Sequence, residues 1–216
     1  MAVVWTILPL LVLITTVFAV RRVVEDAANI RAGVVPPEGS FERGYAQHPV
    51  LAYLHIVPGV IFMVGAPLQF VPRIRRRHLR WHRRLGRLFV ISGLAAGVFA
   101  IAVGIVFPFG GRSETAATIT FGSIFLFALV KAFLQVRGRN VAAHREWMIR
   151  AFAIGLGVST IRLWIPVLQI VAGMSFQRSF GIAFWIAFTM HLVFAEVWIR
   201  HTRGATVARS ANFAAP

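Results

Sequence analysis

Five polar side chains lie within apolar stretches or just before them, and their chemistry is the first indication of what the chain could do. They are His55, His82, His144, His191 and Arg162. Two neutral imidazoles at one depth on different helices hold a b-type haem. An arginine in an apolar setting binds a carboxylate, a propionate or a phosphate. These residue types therefore indicate two kinds of chemistry, which are haem coordination and anion binding.

The elements that position these side chains are predicted to be membrane helices. Hydrophobic residues make up 58% of the 216 residues and charged residues 14%, whereas a soluble domain carries about 25% charged residues. About 20 apolar residues cross the hydrocarbon as a helix, which satisfies its own backbone there. We predict an all-α polytopic transmembrane bundle of about six helices, at about 3–20, 49–71, 86–107, 116–136, 147–171 and 179–199.

Arginine is distributed unevenly over the two sides of this bundle. Fifteen arginines lie in 73–87, 137–150 and the tail, and six lie on the opposite side. The positive-inside rule predicts that both termini are cytoplasmic, with the arginines against anionic lipid headgroups. Because Lys131 is the only lysine, the composition favours a GC-rich bacterial source and hence the inner membrane. The predicted segments are a first helix at 1–20, an extracytoplasmic loop at 21–47, the membrane bundle at 48–200 and a disordered cytoplasmic tail at 201–216.

The composition also excludes several classes of function. Since the chain has no cysteine, it has no disulfide, thiolate metal site or cysteine nucleophile. A net charge of +16 would suit nucleic acid, but the apolar runs assign that charge to the membrane surface, and no nucleic-acid partner is expected. The sequence carries no glycine-rich phosphate loop, HExxH or GxSxG motif.

His82 and His144 meet the depth condition for a haem best. Each begins a His-Arg pair, completed by Arg83 and Arg145, at the predicted cytoplasmic mouth of a helix. His55 and His191 match less well, because they lie about six and twelve residues from the outer ends of their helices, a mismatch of about 9 Å. The alternative for each buried histidine is a hydrogen-bonded tie between helices, and for His82 and His144 a ring at headgroup level.

Arg162 lies about 15 Å from the outer end of the fifth predicted helix. A charge in the middle of a membrane helix costs roughly 2.5–3.5 kcal/mol, and no acid in the predicted spans lies at a matching depth. Pro166 removes the amide that would bond the Arg162 carbonyl, which predicts a helix break. Arg162 therefore either bonds the freed carbonyls or anchors an anionic ligand. Glu196, near a helix end, is expected to pair with Arg200 at i+4.

Four segments resemble a known family in their order and spacing. "HPVLAYLHIVPG" with "GAPLQF", "HRRLGRLFVISG", "AAHREWMIRAFAI" and "TIRLW" are similar to the predicted bacterial membrane proteins of domain of unknown function 2306, from about His48 to Arg200. The resemblance implies a multi-helix inner-membrane bundle, distantly similar to di-haem membrane cytochromes, with no established reaction. In that pattern the position of His191 is often an amide residue, which argues against His191 as a ligand. The characteristic positions it implies are His55, Gln69, His82, Arg83, Gly86, His144, Arg145, Trp147, Arg150 and Arg162.

Three functions follow as alternatives. The first is an electron carrier with haem b, exchanging electrons with quinone, in which His82 and His144, or His55 with a partner, are iron ligands and arginines hold the propionates. The second is a transporter or a small-molecule or lipid-binding protein that holds a small anionic ligand at Arg162, with Gln69 as a further ligand-binding residue. The third is a structural or assembly subunit of a larger membrane complex, with an oligomer as a possible state, whose polar residues tie helices together.

Overall fold

The computed structural model describes the backbone of residues 2–213 and the side chains of residues 6–75 and 77–203. Within this part of the chain every element is a helix, and six helices are long and apolar enough to cross a membrane. The predicted fold class is therefore confirmed. The helices are α1 Ala2–Ala32, α2 Phe41–Gln47, α3 Pro49–Phe70, α4 Pro72–Arg77, α5 Leu79–Val106, α6 Gly111–Arg137, α7 Val141–Ala172 and α8 Phe176–Phe213.

The six long helices run alternately up and down, so their connections lie at two ends. One end, which we call the arginine end, contains α4, the turn between α6 and α7, and the part of α8 around Arg200. The other, which we call the α2 end, contains α2, the turn between α5 and α6, and the turn between α7 and α8.

Helix α7 is the central helix of the bundle. It packs against α1, α3, α6 and α8, and 56% of its most apolar window is buried. The side chain of Asn140 accepts a hydrogen bond from the Ala143 amide at 3.0 Å and so caps its first turn. Gly173, at φ 60°, ends the helix in the left-handed conformation that glycine adopts without strain.

Small residues let these helices approach closely. Ala128, Ala132, Ala151 and Ala183 are completely buried, as expected where lipid provides no hydrophobic drive and packing must hold the helices together. Gly93 of α5 faces the α3–α6 contact so closely that an added Cβ would lie 2.8 Å from Leu129 Cδ1. The bundle is therefore close-packed around α7.

Helix α1 packs less closely than the other long helices, since only 6% of the residues in its most apolar stretch are buried. It lies against α3 and α7, and its polar contact with α7 joins the Thr15 and Ser159 hydroxyls at 2.5 Å. Ser159 Oγ in turn donates to the Leu11 carbonyl at 2.7 Å. Helix α1 therefore forms an outer wall of the bundle, with Leu8, Leu11 and Val12 packed against the core.

The segment predicted as an extracytoplasmic loop at 21–47 is largely helical, because α1 continues to Ala32 and α2 follows. Charge pairs one turn apart support this extension, with Arg21 Nε 2.6 Å from Glu25 Oε1 and Arg22 Nη1 3.2 Å from Asp26 Oδ1. A span predicted from hydropathy ends at the last apolar residue, whereas the helix itself can continue through polar residues whose side chains pair with one another.

Two further expectations differ from the structure. Helix α7 runs without interruption through Pro166, and α3 through Pro58 and Pro67, because a membrane helix tolerates proline when its neighbours support the freed groups. Helix α8 continues to Phe213, where a disordered tail is predicted from 201, since this stretch has no proline and several good helix formers. Residues 214–216 lie outside the described part of the chain.

Candidate functional site

A cavity of about 450 Å³ lies among α1, α2, α3, α5, α6, α7 and α8, from the middle of the bundle toward the α2 end. Its wall is mostly apolar and aromatic. Such a lining, with a few polar groups aimed inward, is typical of a small-molecule site. The phenylalanines in the wall are Phe18, Phe41, Phe62, Phe125, Phe176, Phe180, Phe184 and Phe188.

Arg162 of α7 lines this cavity. Its guanidinium carbon lies 4.6 Å from the centre of the Phe18 ring, a cation–π contact with α1. Among the described residues it donates no hydrogen bond and pairs with no carboxylate. The expected bonding of Arg162 to freed backbone carbonyls is therefore not what the structure shows. Although Pro166 leaves the Arg162 carbonyl without its usual donor, the Arg162 side chain faces the cavity and Phe18 instead.

Helix α2 closes one side of the cavity. It packs on the bundle through Phe41, whose ring contacts Phe109 and Phe180, and it is joined to α1 by Arg22. Arg22 donates to Asp26 and, at 3.4 Å, to Glu42 of α2. Its guanidinium also lies 5.2 Å from the Phe41 ring centre and 5.0 Å from that of Tyr45. Arg22 and Asp26 are both buried, and this cluster attaches α2 to α1.

Glu114 contributes the opposite charge to the cavity wall. It lies in the first turn of α6, is 7% exposed, and its Oε2 accepts a hydrogen bond from the Gly110 amide at 2.6 Å. An acidic side chain at a helix N-terminus satisfies a free amide and suits the helix dipole. No described arginine, lysine or histidine pairs with it. The cavity thus has an unpaired guanidinium and an acid without a cation in its wall.

His55 of α3 also faces the cavity. Its Nδ1 lies 2.9 Å from the Ala96 carbonyl oxygen of α5. Since a carbonyl only accepts, Nδ1 carries the hydrogen in this contact. Nε2 is then the nitrogen that is left for a ligand, and a carbonyl that fixes the tautomer in this way is the usual support for a metal-binding or proton-accepting histidine.

His82 and His144 lie elsewhere, at the arginine end. Each is the fourth residue of its helix, α5 and α7 respectively, which agrees with the equal depth expected of them, and the two rings are close enough to interact electrostatically. His144 Nδ1 lies 2.8 Å from the Ala132 carbonyl oxygen of α6. Neither histidine is in the wall of the cavity, and Gln69, the other predicted ligand-binding residue, is also absent from it.

His191 forms a tie between two helices. It is 7% exposed, and its Nε2 lies 3.1 Å from the Thr160 hydroxyl of α7. Because that hydroxyl donates to the Gly157 carbonyl at 3.0 Å, the histidine Nε2 is the donor in the contact. Both atoms are thus satisfied within the protein, which matches the expectation of a hydrogen-bonding role for this residue.

Arginine–acid pairs join α7 and α8 at the arginine end. Arg150 binds Glu196 through two hydrogen bonds of 2.5 and 3.0 Å, so the direct partner of Glu196 is Arg150 rather than the expected Arg200. Arg203 binds Glu146 through two further hydrogen bonds. Paired in this bidentate way, both acids are already satisfied.

Arg145 and Arg83, predicted with the neighbouring histidines as propionate anchors, have separate environments. Arg145 donates to the Thr202 hydroxyl of α8 at 3.2 Å, which adds to the α7–α8 contact. Arg83 is exposed on α5. The predicted site residues therefore fall into three places: the cavity, the arginine end and the α7–α8 contact. Within the described residues, no group of three histidine, aspartate or glutamate side chains could hold a metal ion.

Sequence reasoning missed Glu114 and Tyr45. Glu114 precedes the apolar run predicted to begin at 116, so it was not counted among the acids of the spans, although an acid in the first turn of a helix is a recognisable signal. Tyr45 falls in a segment predicted to be a loop, and only the folding of α2 over the bundle brings it to the cavity.

Tyr45 lies outside the membrane-spanning helices and reports on the charge of Arg162. Burial raises the pKa of the Tyr45 phenol, and the positive charge of Arg162 acts in the opposite direction by stabilising the phenolate. Electrostatic coupling thus joins α2 to the arginine within the cavity.

We expect the substitution Arg162→Gln to raise the pKa of Tyr45 further, because the phenolate loses the nearby positive charge. Since the chain has two tyrosines, a Tyr53→Phe background isolates the Tyr45 signal in an alkaline titration followed by phenolate absorbance. Arg178→Gln, at the same end of the bundle, is the control and should leave the titration unchanged. An equal titration in both variants would contradict the coupling.

The comparisons with known proteins agree with this architecture. The sequence model of a family of predicted membrane proteins matches residues 52–199, which begins in α3 and ends in α8. No curated protein and no solved structure matches the chain. Since the match covers well over half of the chain, it confirms the resemblance inferred from the motifs, and the chain belongs to the family described as "Predicted membrane protein (DUF2306)".

Proposed function

We propose that the protein binds an amphipathic organic anion in the cavity, with the anionic group on Arg162 and the apolar body among the phenylalanines. The observation that carries this proposal is the guanidinium of Arg162, which faces the cavity without a carboxylate or a hydrogen-bond acceptor among the described residues. The chain is thus a ligand-binding membrane protein, and transport of the same ligand across the bilayer is the activity that such a site would serve.

The energetics favour a charged ligand. An arginine in the middle of a membrane helix costs roughly 2.5–3.5 kcal/mol on the insertion scale, while one cation–π contact returns about 0.5–2 kcal/mol. The Phe18 contact therefore leaves part of the cost uncompensated. An anion hydrogen-bonded to the guanidinium supplies the remainder. A quinone has no formal negative charge and would leave Arg162 unpaired.

The wall also indicates the shape of the ligand. A small inorganic anion would make no apolar contact with the eight phenylalanines of the wall, whereas the chain or ring of an amphipathic anion would be buried among them. The Thr118 hydroxyl, which lines the cavity, is buried without a hydrogen-bond partner, and His55 presents Nε2. These groups are available to the polar part of the ligand, while Glu114 disfavours a second negative charge close to it.

A b-type haem is the second candidate, and one observation favours it. His55 has the Nδ1–carbonyl contact that fixes Nε2 toward the cavity, which is the support expected of an axial ligand. The fit is incomplete, because His82, His144 and His191 lie outside the cavity wall and the wall therefore offers one imidazole. The similarity to di-haem membrane cytochromes remains a prediction.

We also infer the orientation of the chain from charge. The arginine end carries most of the arginines, and the exposed ones include Arg73, Arg75 and Arg77 of α4 and those in the first turns of α5. By the positive-inside rule this end faces the cytoplasm of a bacterium, with both termini inside. Its exposed arginines then lie at the anionic headgroups of the inner membrane, each contributing about 1 kcal/mol of attraction.

For the ligand, we expect protein in nanodiscs to bind radiolabelled palmitate more tightly than the matching uncharged alcohol, hexadecanol. Arg162→Gln should weaken palmitate binding on the order of 10- to 100-fold, the loss expected for a hydrogen bond to a charged group, and Glu114→Gln should strengthen it. Arg178→Gln is the control with unchanged binding. Equal binding of acid and alcohol by the unmodified protein, or unchanged palmitate binding in Arg162→Gln, would refute the proposal.

For haem, the second candidate predicts a Soret band in protein purified from haem-replete cells. His55→Ala should remove the band, whereas His191→Gln should retain it because that side chain serves the α7–α8 contact. A folded but colourless preparation would eliminate this candidate and leave the anion site unaffected.

For orientation, the absence of native cysteine makes single-cysteine labelling direct. Glu38, whose side chain is 93% exposed, lies before α2, and Arg84 is exposed at the arginine end. A membrane-impermeant maleimide should label Glu38→Cys in intact spheroplasts and Arg84→Cys only after the membrane is opened. The reverse pattern would place the arginine end outside.

A further inference from the structure

A second polar cluster lies at the arginine end, away from the cavity. Three buried polar atoms there have no hydrogen-bond partner among the described residues, which are Gln69 Nε2, Gln69 Oε1 and His82 Nδ1. Leaving a buried donor or acceptor unsatisfied costs about 1–3 kcal/mol. Three such atoms on two side chains therefore call for a ligand with both donors and acceptors.

The geometry brings these atoms to one place. Gly86 lies one turn after His82 on the same face of α5, and a Cβ added at Gly86 would lie 3.4 Å from Gln69 Oε1. The amide at the end of α3 thus rests against this face of α5, where the glycine leaves it room. His144 interacts electrostatically with His82 from α7, and its Nδ1 is taken by the Ala132 carbonyl. Nε2 of His144 is therefore the available nitrogen.

The charge around the cluster is positive. Arg75 and Arg83 act electrostatically on His82, and neither pairs with a described acid. The acids at this end are engaged elsewhere, Glu146 with Arg203 and Glu196 with Arg150. Water could satisfy the amide and the imidazoles, whereas a phosphate would satisfy them and also bring its negative charge next to these two arginines.

We propose that Gln69, His82 and His144 form a binding site for a phosphate group that carries a free hydroxyl, with Arg75 and Arg83 at its rim. The phosphate oxygens accept hydrogen bonds from Gln69 Nε2 and from the His82 ring, and the arginines balance the charge. The hydroxyl donates to Gln69 Oε1, which is always an acceptor, or to His144 Nε2, which is an acceptor when the imidazole is neutral.

Two sources carry this chemistry. One is the headgroup of a lipid of the phosphatidylglycerol type, which combines a phosphodiester with two hydroxyls. The other is a free phosphomonoester such as glycerol 3-phosphate. Gln69 is the next-to-last residue of α3, and the two histidines lie in the first turns of α5 and α7. This position at the helix ends is the depth of lipid headgroups.

The experiment compares lipid retention by native mass spectrometry after release from nanodiscs of phosphatidylglycerol or of phosphatidylcholine. We expect preferential retention of phosphatidylglycerol by the unmodified protein and a loss of about tenfold in Gln69→Glu, which keeps the shape of the amide but repels phosphate. Gln69→Leu, which removes both polar atoms, should show the same loss. Arg87→Gln is the matched control, because it removes one arginine of α5 whose Nε bonds within its own helix.

Competition with glycerol 3-phosphate distinguishes the two sources. Displacement of the lipid at millimolar concentrations would assign the site to a soluble phosphomonoester, and no displacement would assign it to the lipid headgroup. Equal retention of the two lipids, or equal losses in Gln69→Glu and Arg87→Gln, would overturn the proposal in favour of water and general surface charge. The Gln69 variants are compared in an Arg162→Gln background, so that lipid bound in the cavity does not contribute to the difference.

Discussion

Hydrocarbon offers no hydrogen-bonding partner, and this constraint governs the whole structure. It forces the backbone into helices and makes each polar side chain within them either pair inside the protein or remain costly. Most polar side chains within the described helices pair inside the protein. Thr15 with Ser159, His191 with Thr160 and Arg150 with Glu196 are each satisfied across helices. The few without such a partner among the described residues, Arg162 above all, are the residues that indicate function.

The two ends of the bundle are built differently. At the arginine end, bidentate arginine–acid pairs hold α7 to α8, and neighbouring helices are in close contact. At the α2 end, the cavity separates the helices, and its cover is α2 together with the loosely packed α1. Arg22 of α1 holds these two helices together through its contacts with Asp26, Glu42 and two aromatic rings of α2. The cover is not separate from the rest of the bundle, because Phe41 of α2 packs on Phe109 and on Phe180 of α8.

Several site residues were within reach of sequence reasoning and others were not. Arg162 and His55 stand out because a polar residue in an apolar run is conspicuous at any position. Glu114 and Tyr45 do not, since each lies at the border of a predicted span where a polar residue is ordinary. The partner of Glu196 was also beyond reach, because a residue one turn away on the same helix cannot be ranked against Arg150, 46 positions earlier, without knowing how α7 packs on α8.

The sequence by itself determined the class of the fold, the six spans and the family, because hydrocarbon thickness and the absence of water act on each segment separately. Segment-by-segment reasoning also identified the polar residues that carry a cost. Only the tertiary structure decided that His55 and Arg162 share a cavity that His82, His144 and Gln69 do not line. The reason is that these groupings depend on the rotation of each helix about its axis and on which helices are neighbours, and both are set by the packing of small and aromatic side chains across the whole bundle.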